Sequence, residues 1–346
     1  MLQYSTATLH HYTATLILHN RFARTDCYCM PESTGAAAVL LAGFAVVAAV
    51  LIQAMATTET YTAADRVLLG GGNAIPVVGF GMYYTPPGAV AYDIVTEALK
   101  LGYRHIDTAG FYDNEGDVGR AVKDSGIPQE QIHITSKVWP EAEGRWQTEP
   151  YEAVLDAVKA SAEKLGTHAD LYLIHWPVNP EQRVDYWLAL EAALKLGLVK
   201  SIGVSNFGVA HLQQLIDDPR TTVVPAANEI ELHPFLRQNE IEAFCTPRGI
   251  RLIAYSPLAR AKRLDKPELV AVAKAHGVSP AQVMVRWSMQ HGYVPLPKSV
   301  RSERVAENVN VFGFELSAAE MATLDAHDER LFTEWEEWGN LDPMMI

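Results

Sequence analysis

Four side chains in this sequence have the types and spacing for proton transfer to a carbonyl: Asp107, Tyr112, Lys137 and His175. Asp107 closes a short apolar run and Tyr112 follows five positions later; Lys137 closes the next apolar run and His175 the one after. A phenol held beside charged groups can serve as a proton donor. A buried lysine paired with an aspartate keeps its charge despite desolvation, and an ammonium beside a phenol favours the phenolate. A histidine can hold and orient a carbonyl oxygen within the same hydrogen-bond network. A carbonyl polarised in this way is ready to accept hydride. Taken singly, each residue has a plainer reading. Lys137 suits a solvated strand end, His175 a satisfied structural histidine, and Asp107 a cap for the turn after it. Four such residues at the same end of consecutive units argue for a joint role. No His/Cys/Asp grouping has metal-ligand spacing, and no Gly-x-Ser-x-Gly elbow is present.

These residues must be delivered by elements that repeat. Strand signals fall at Val77–Met82, His105–Asp107, Ile132–Lys137, Leu171–His175, Ile202–Val204, Ala227–Ile230, Leu252–Tyr255 and Val294–Leu296. Amphipathic helical patterns lie between them, at Ala89–Leu101, Gly116–Ser125, Pro150–Leu165, Asp185–Leu196, Val209–Ile216, Gln238–Cys245, Pro267–His276 and Pro280–Gln290. Glu303–Asn308 follows the last strand, and Ser317 with Glu320 forms a capping box opening a helix to Ala326. Val67–Leu69 and Ile75–Val77, separated by glycines, predict a small hairpin ahead of the series. Short apolar strands alternating with helices indicate a parallel sheet covered by helices. Eight units in under 300 residues fit a closed (β/α)8 TIM barrel with the hairpin at its bottom. The doubly wound alternative usually carries a glycine fingerprint after its first strand. Here Gly79-Phe80-Gly81 lies inside the strand, with no third glycine opening a helix. These glycines fit close packing at the barrel wall as well as a functional role.

The motifs DTAGFYDNE, SKVW, LIHWP, IGVSNF, NEIELHP, AYSPL and PLPKSVRSERVAEN, in this order from about Val67 to Ala326, resemble the aldo-keto reductase family. Together they are highly specific, although any one alone is weak. The resemblance implies a (β/α)8 barrel, NADPH/NADP+ as cofactor and reversible reduction of a carbonyl to an alcohol. It also implies that Tyr112 gives the proton, supported by Asp107, Lys137 and His175. The cofactor residues carried over are Gly81, Met82, Ser205, Asn206, Glu229, Tyr255, Ser256, Leu258, Lys298, Ser299, Arg304, Glu307 and Asn308. Ser205 and Asn206 offer hydrogen bonds for the nicotinamide carboxamide. Tyr255 can stack on the nicotinamide ring, and Ser256 and Leu258 lie where the family binds pyrophosphate. Glu307 and Asn308 match adenine contacts. Lys298, Ser299 and Arg304 suit a 2′-phosphate, arginine as a fork and lysine as a point charge. That favours NADPH over NADH.

One position departs from the family pattern, which has glutamine where Asn228-Glu229-Ile230-Glu231-Leu232-His233-Pro234 has Glu229. A carboxylate there can accept from an amide NH2 but not donate, and it puts negative charge near a ring that is cationic in NADP+. The expected result is altered cofactor affinity with activity retained. Tyr83, Trp139 and Trp176 are candidates for the substrate pocket, the tryptophans fitting rim packing almost as well. The short connection from Trp176 to the next helix resembles the branch of 2,5-diketogluconate reductases and protozoan prostaglandin F synthases. It implies an open pocket and broad acceptance of small aldehydes, α-dicarbonyls and keto sugars. The tail Leu331–Ile346, rich in Trp and Glu, fits either a border of that pocket or a surface segment. The alternative function is a non-catalytic NADPH-binding regulatory subunit similar to potassium-channel β subunits. The presence of all four catalytic residue types argues for an enzyme.

Composition sets the remaining bounds. With 346 residues, 49% of them hydrophobic and 20% charged, the chain can bury a substantial core. A formal charge of -13 argues against nucleic acid as a partner. Residues 1–54 hold only Arg21, Arg24, Asp26 and Glu32 as charged groups, so the acidic excess belongs to the barrel region, 60–346. Of three cysteines only Cys245 lies in the body, which fits a reducing, cytoplasmic compartment. The uncharged run Ala36–Ile52 is seventeen residues, roughly 25 Å as helix and at the low end of a membrane span. It reads as a membrane anchor, as a signal peptide cut near Ala54-Met55-Ala56, or as sequence upstream of a true start at Met55. The last reading is slightly favoured, and membrane tethering depends on the first. No obligatory protein partner is expected.

Overall fold

Residues 62–139, 150–177 and 180–333 are described by the structure, a computed structural model of the chain. The extension 1–54 with its apolar run, and the tail after Thr333, lie outside them. A hairpin comes first, β1 (Arg66–Leu68) paired antiparallel with β2 (Ala74–Pro76). Eight parallel strands follow: β3 (Phe80–Gly81), β4 (His105–Asp107), β5 (His133–Val138), β6 (Leu171–Ile174), β7 (Ser201–Ser205), β8 (Ala227–Glu231), β9 (Arg251–Tyr255) and β10 (Val294–Pro295). Each pairs with the next in chain order. The ring closes where Gly79 N donates to Pro295 O at 3.0 Å and Gly81 N to Pro297 O at 3.3 Å.

Helices α1 (Ala89–Lys100), α2 (Glu115–Asp124), α3 (Pro150–Leu165), α4 (Pro180–Lys195), α5 (Val209–Asp217) and α6 (Asn239–Cys245) each follow one strand. After β9 come α7 (Pro267–His276) and α8 (Pro280–Gln290); after β10, α9 (Ser302–Val309) and α10 (Ala318–Asp325). The helices form because their apolar residues recur at helical spacing. In α1, Ala91, Ile94, Val95, Ala98 and Leu99 make one buried stripe. The expected capping box opens α10, with Ser317 N donating to Glu320 Oε2 at 2.8 Å and Glu320 N to Ser317 Oγ at 3.3 Å. A second opens α8, between Ser279 and Gln282 with Pro280 at the first turn. One expected boundary moves: the helix expected from Asp185 starts at Pro180, so the connection after β6 is shorter still.

Strand residues alternate between two cores, as a pleat of period two requires. Ile106, Ile134, Tyr172, Ile202, Ile230 and Leu252 face the helices. Leu171, Leu173, Ala227, Ile253, Val294 and Leu296 fill the barrel and meet Leu69 and Ile75 of the hairpin segment. The hairpin closes the amino ends of the strands. Gly70 N donates to Ala226 O at 3.2 Å, Asn73 Nδ2 to Lys200 O at 2.7 Å, and Arg251 Nε to Leu68 O at 3.1 Å. Chemistry is therefore left to the opposite end. Among the described residues no helix is long and apolar enough to cross a membrane, and no group of three or more candidate ligands could hold a metal ion.

Candidate active site

Three consecutive strands deliver the four expected residues to the carboxyl end of the barrel. Asp107 ends β4, Lys137 lies near the end of β5, and His175 follows β6. Tyr112 comes from a single 3-10 turn, Gly110–Tyr112, and is half-buried. Asn114 holds that turn against the loop after β3: its amide donates to Met82 O and Thr85 O, both at 3.2 Å, and accepts from Thr108 Oγ1 at 2.6 Å.

The charged part of the site is wholly buried. Lys137 Nζ donates to Asp107 Oδ1 at 2.6 Å and Thr108 O at 3.0 Å, and lies 3.2 Å from Glu229 Oε1. Its three N–H donors thus face three oxygens. Burial alone would push the ammonium down, but the charges of Asp107 and Glu229 outweigh it and hold Lys137 above its usual range. The ammonium sits 5.3 Å from the centre of the Tyr112 ring. Tyr112 Oη lies 3.3 Å from His175 Nε2. Burial, and then the charge of Lys137, hold His175 well below the ordinary histidine range, so it stands here as neutral imidazole. Burial, and then the charge of Asp107, push Glu229 well above the usual carboxylate range, with Lys137 opposing.

A cavity of about 350 Å³ opens above these groups. Of the expected residues, Gly81, Tyr83, Asp107, Tyr112, Trp139, His175, Ser205, Asn206, Glu229, Tyr255, Ser256, Leu258 and Lys298 line it. Lys137 lies behind Asp107, and Met82 is buried in the core. Trp176 stacks on Trp139 with ring centres 6.1 Å apart and does not line the cavity. Ser299, Arg304, Glu307 and Asn308 lie beyond the lining too, the last three on α9 with Arg304 exposed. Asn206 adopts a left-handed backbone (φ 63°), which asparagine tolerates better than most residues. Its Nδ2 donates to His175 O at 2.9 Å and its Oδ1 accepts from Tyr255 Oη at 2.8 Å, tying three loops together. By contrast, Glu229 Oε2 is buried and has no hydrogen-bond partner.

The sequence reading missed Tyr84, Phe111, Pro257, Arg260 and Leu296 in the lining. Phe111 had a signal, being adjacent to Tyr112; it stacks on Trp139 at 5.0 Å. Arg260 sits in the run Ala259–Arg260–Ala261, all left-handed (φ 48°, 48° and 64°) and none glycine, a conformation that propensity does not anticipate. Its guanidinium lies 5.3 Å from the Tyr84 ring centre, and its Nη1 donates to Thr333 O at 3.3 Å. Glu231 was also missed. Buried on β8, it accepts Thr333 N at both carboxylate oxygens (2.9 and 3.0 Å) together with the Thr333 hydroxyl, anchoring the end of the described chain to the barrel rim.

An opened carboxyl end, a phenol over a buried lysine and a neutral histidine beside it form one unit on a complete barrel, and the barrel and its sequence have known relatives. The sequence model of the Aldo/keto reductase family matches residues 78–329. A glyoxal reductase of Bacillus subtilis (strain 168) is 43% identical over 270 residues, covering 77% of this chain and 95% of its own. An aldehyde reductase of Saccharomyces cerevisiae is 42% identical over 274 residues, covering 70% and 85%. Among solved structures, an aldo-keto reductase enzyme from a Medee basin deep-sea metagenome library matches with a TM-score of 0.72 at 35% identity, covering 79% of this chain and 98% of that one. An aldo/keto reductase from Brucella melitensis gives 0.71 at 40% identity, covering 76% and 99%. A match spanning nearly the whole barrel, in sequence and in fold, makes this chain a member of the aldo/keto reductase family.

Proposed function

We propose that this chain is an NADPH-dependent reductase of small aldehydes and ketones, with Tyr112 as the proton donor, working in the cytoplasm without an obligatory protein partner. The observation that carries this reading is the stack of Lys137, Tyr112 and His175 at the cavity. Tyr112 Oη and His175 Nε2, 3.3 Å apart, can converge on one carbonyl oxygen. The phenol gives that oxygen its proton, and the buried Lys137 ammonium stabilises the phenolate left behind. Asp107 keeps the lysine charged, and the neutral imidazole holds the oxygen without adding a competing charge.

The residues present fit a nicotinamide nucleotide. Gly81 leaves the wall open beside Leu296, and Tyr255 presents its ring with the hydroxyl held by Asn206. Glu229 Oε2 is an unpartnered polar atom on the lining. Lys298 and Arg260 bring positive charge to the same cavity. Ser205, Asn206 and Glu229 would hold the carboxamide, and Lys298, Ser299 and Arg304 the 2′-phosphate. When bound, NADPH supplies the hydride. Aromatic walls from Tyr83, Phe111 and Trp139 suit small or planar carbonyl compounds, and the names of the glyoxal and aldehyde reductases that this chain resembles point the same way.

Loss of NADPH absorbance with methylglyoxal, for wild type and Tyr112→Phe, tests the reading. The variant should fall by about 10²–10⁴-fold. Equal rates would remove Tyr112 from the mechanism. NADPH binding without turnover of any carbonyl would instead favour a regulatory subunit. Lys298→Met should weaken NADPH more than NADH, and equal weakening rejects the phosphate assignment.

A further inference from the structure

Two carboxyl groups share one ammonium at the base of the cavity. Asp107 takes the shorter contact with Lys137 (2.6 Å) and Glu229 the longer (3.2 Å). Both carboxyls are nearly sealed from solvent, at 3% and 2% exposure. With His175 neutral, the ammonium that touches these two carboxyls is that of Lys137, while Lys298 and Arg260 add positive charge elsewhere on the cavity wall. If both carboxyls were ionised, a net negative charge would be buried, which a low-dielectric interior strongly disfavours. One proton should therefore remain, and the geometry says where. Asp107 Oδ1 holds the close charge-assisted bond, so the proton falls to the carboxyl with the weaker lysine contact. Each carboxyl has one buried oxygen without a partner, Asp107 Oδ2 and Glu229 Oε2, and both residues line the cavity, so the lysine contact decides between them.

We propose that Glu229 is a protonated acid at neutral pH, standing in for an amide toward the nicotinamide carboxamide, and that it releases its proton when the oxidised cofactor binds. The proposal rests on the NADPH reading above. A neutral carboxyl offers one O–H donor and one acceptor, matching the donor and acceptor of a glutamine side chain. This removes the difficulty seen in the sequence, where a carboxylate could not donate to the carboxamide oxygen. The reduced ring is neutral and leaves the proton in place. The oxidised ring is cationic and favours carboxylate, so the proton leaves through the cavity to solvent. Glu229 is then a positioning residue whose charge follows the redox state of the cofactor.

The titratable neighbours are few. Asp107 comes from β4 and Lys137 from β5, while Tyr112, His175, Tyr255, Arg260 and Lys298 line the same cavity. β7 presents Ser205 against Glu229, and β9 pairs it with Ile253. Glu231, farther along β8, is engaged by His233 and Thr333.

Calorimetric titration of NADP+ and NADPH in two buffers of different ionisation enthalpy counts the protons exchanged. Wild type should release up to about one proton with NADP+ and close to none with NADPH, and the ratio of the two affinities should change by up to about tenfold per pH unit. Glu229→Gln should abolish both effects while retaining nucleotide binding. Asp107→Asn, which leaves Lys137 to Glu229 alone, should also abolish proton release. An infrared difference spectrum of nucleotide-free wild type minus Glu229→Gln should show a carboxylic acid C=O band at neutral pH. Absence of that band, or proton release unchanged in Glu229→Gln, overturns the proposal. Should neither nucleotide bind wild type, the NADPH reading fails, while the infrared band still decides the protonation of Glu229.

Discussion

The two ends of this barrel bury titratable side chains on the same two strands and treat them in opposite ways. At the amino end, β4 and β5 begin with His105 and His133, whose rings meet edge to face at 4.9 Å. At the carboxyl end the same strands finish with Asp107 and Lys137, an ion pair. The lower pair is sealed by the hairpin and keeps the proteins' interior neutral. Burial, and then the charges of Arg66 and Lys200, push His133 down to about 3; burial and its neighbour His133 push His105 well below the ordinary range. The upper group keeps its charge because opposite charges answer one another beside a cavity. Two residues of travel along a strand, from His105 to Asp107, thus separate a packing task from a chemical one. Burial alone does not mark the active end; burial with unresolved charge does.

The largest test of this contrast is Lys137→Met. On the proposed function, removing the cation should cost about 10²–10⁴ in the rate of carbonyl reduction, since Tyr112 would lose the charge proposed to stabilise its phenolate. It should also cost about 3–5 kcal/mol of stability, because two buried carboxyls lose their partner. The loss should depend on pH. Burial already raises both Asp107 and Glu229 with the ammonium opposing it, and without Lys137 both would rise further, so the folded variant holds more protons relative to its unfolded chain than wild type does. Stability then falls as pH rises from the ordinary carboxylate range. Thermal melts that decline equally for wild type and variant between pH 4 and 7 would break the account of the upper group.

How much of this was legible in the sequence depends on the range of the information. Asp107, Lys137 and His175 could be read because a polar residue ending an apolar run is a local pattern. The strands around them were placed within a residue or so for the same reason. The first barrel strand was read too long, as Val77–Met82, because only Phe80–Gly81 pairs with β4 in register while Gly79 and Gly81 bond to the segment around β10. The helix expected from Asp185 begins at Pro180, because proline suits a first helical turn and the apolar pattern that marks a helix starts only after it. Glu231 was invisible as an anchor because its partner, Thr333, lies 102 positions away. Glu229 was visible as a departure, but not as the second claimant on Lys137; that fact belongs to the curvature bringing β8 across from β4 and β5.

The lower pair makes a different prediction. His133 has a folded value near 3 against about 6.5 unfolded. Its contribution is fully present above the unfolded value and is lost as pH falls toward the folded one, because the unfolded chain binds the extra proton. Over that window each such histidine steepens the loss of stability by up to about 1.4 kcal/mol per pH unit. His133→Leu should therefore flatten the acid limb of a stability curve between roughly pH 6.5 and 3 while leaving carbonyl reduction at neutral pH near that of wild type. A large loss of turnover in this variant would mean that the lower end is not confined to packing.

The smallest expected effect separates the two glycines that seam the barrel. A β-carbon on Gly79 would lie 2.5 Å from Leu296 Cδ2 and would also press on the His105 ring, both within the sealed interior. Overpacking of this kind typically costs about 1–3 kcal/mol, so Gly79→Ala should lower the melting temperature with little change in cofactor affinity once folded. On Gly81 the added carbon would stand 3.2 Å from Leu296 O and 3.8 Å from Lys298 Cβ, on the cavity wall. Gly81→Ala should cost less stability than Gly79→Ala and, on the proposed function, weaken nucleotide binding more. The seam is one piece of backbone, yet its lower glycine lies in the packed interior and its upper one on the cavity wall. Equal stability losses with equal affinities in the two variants would erase that boundary, and the measurement needs only melting curves and a nucleotide titration.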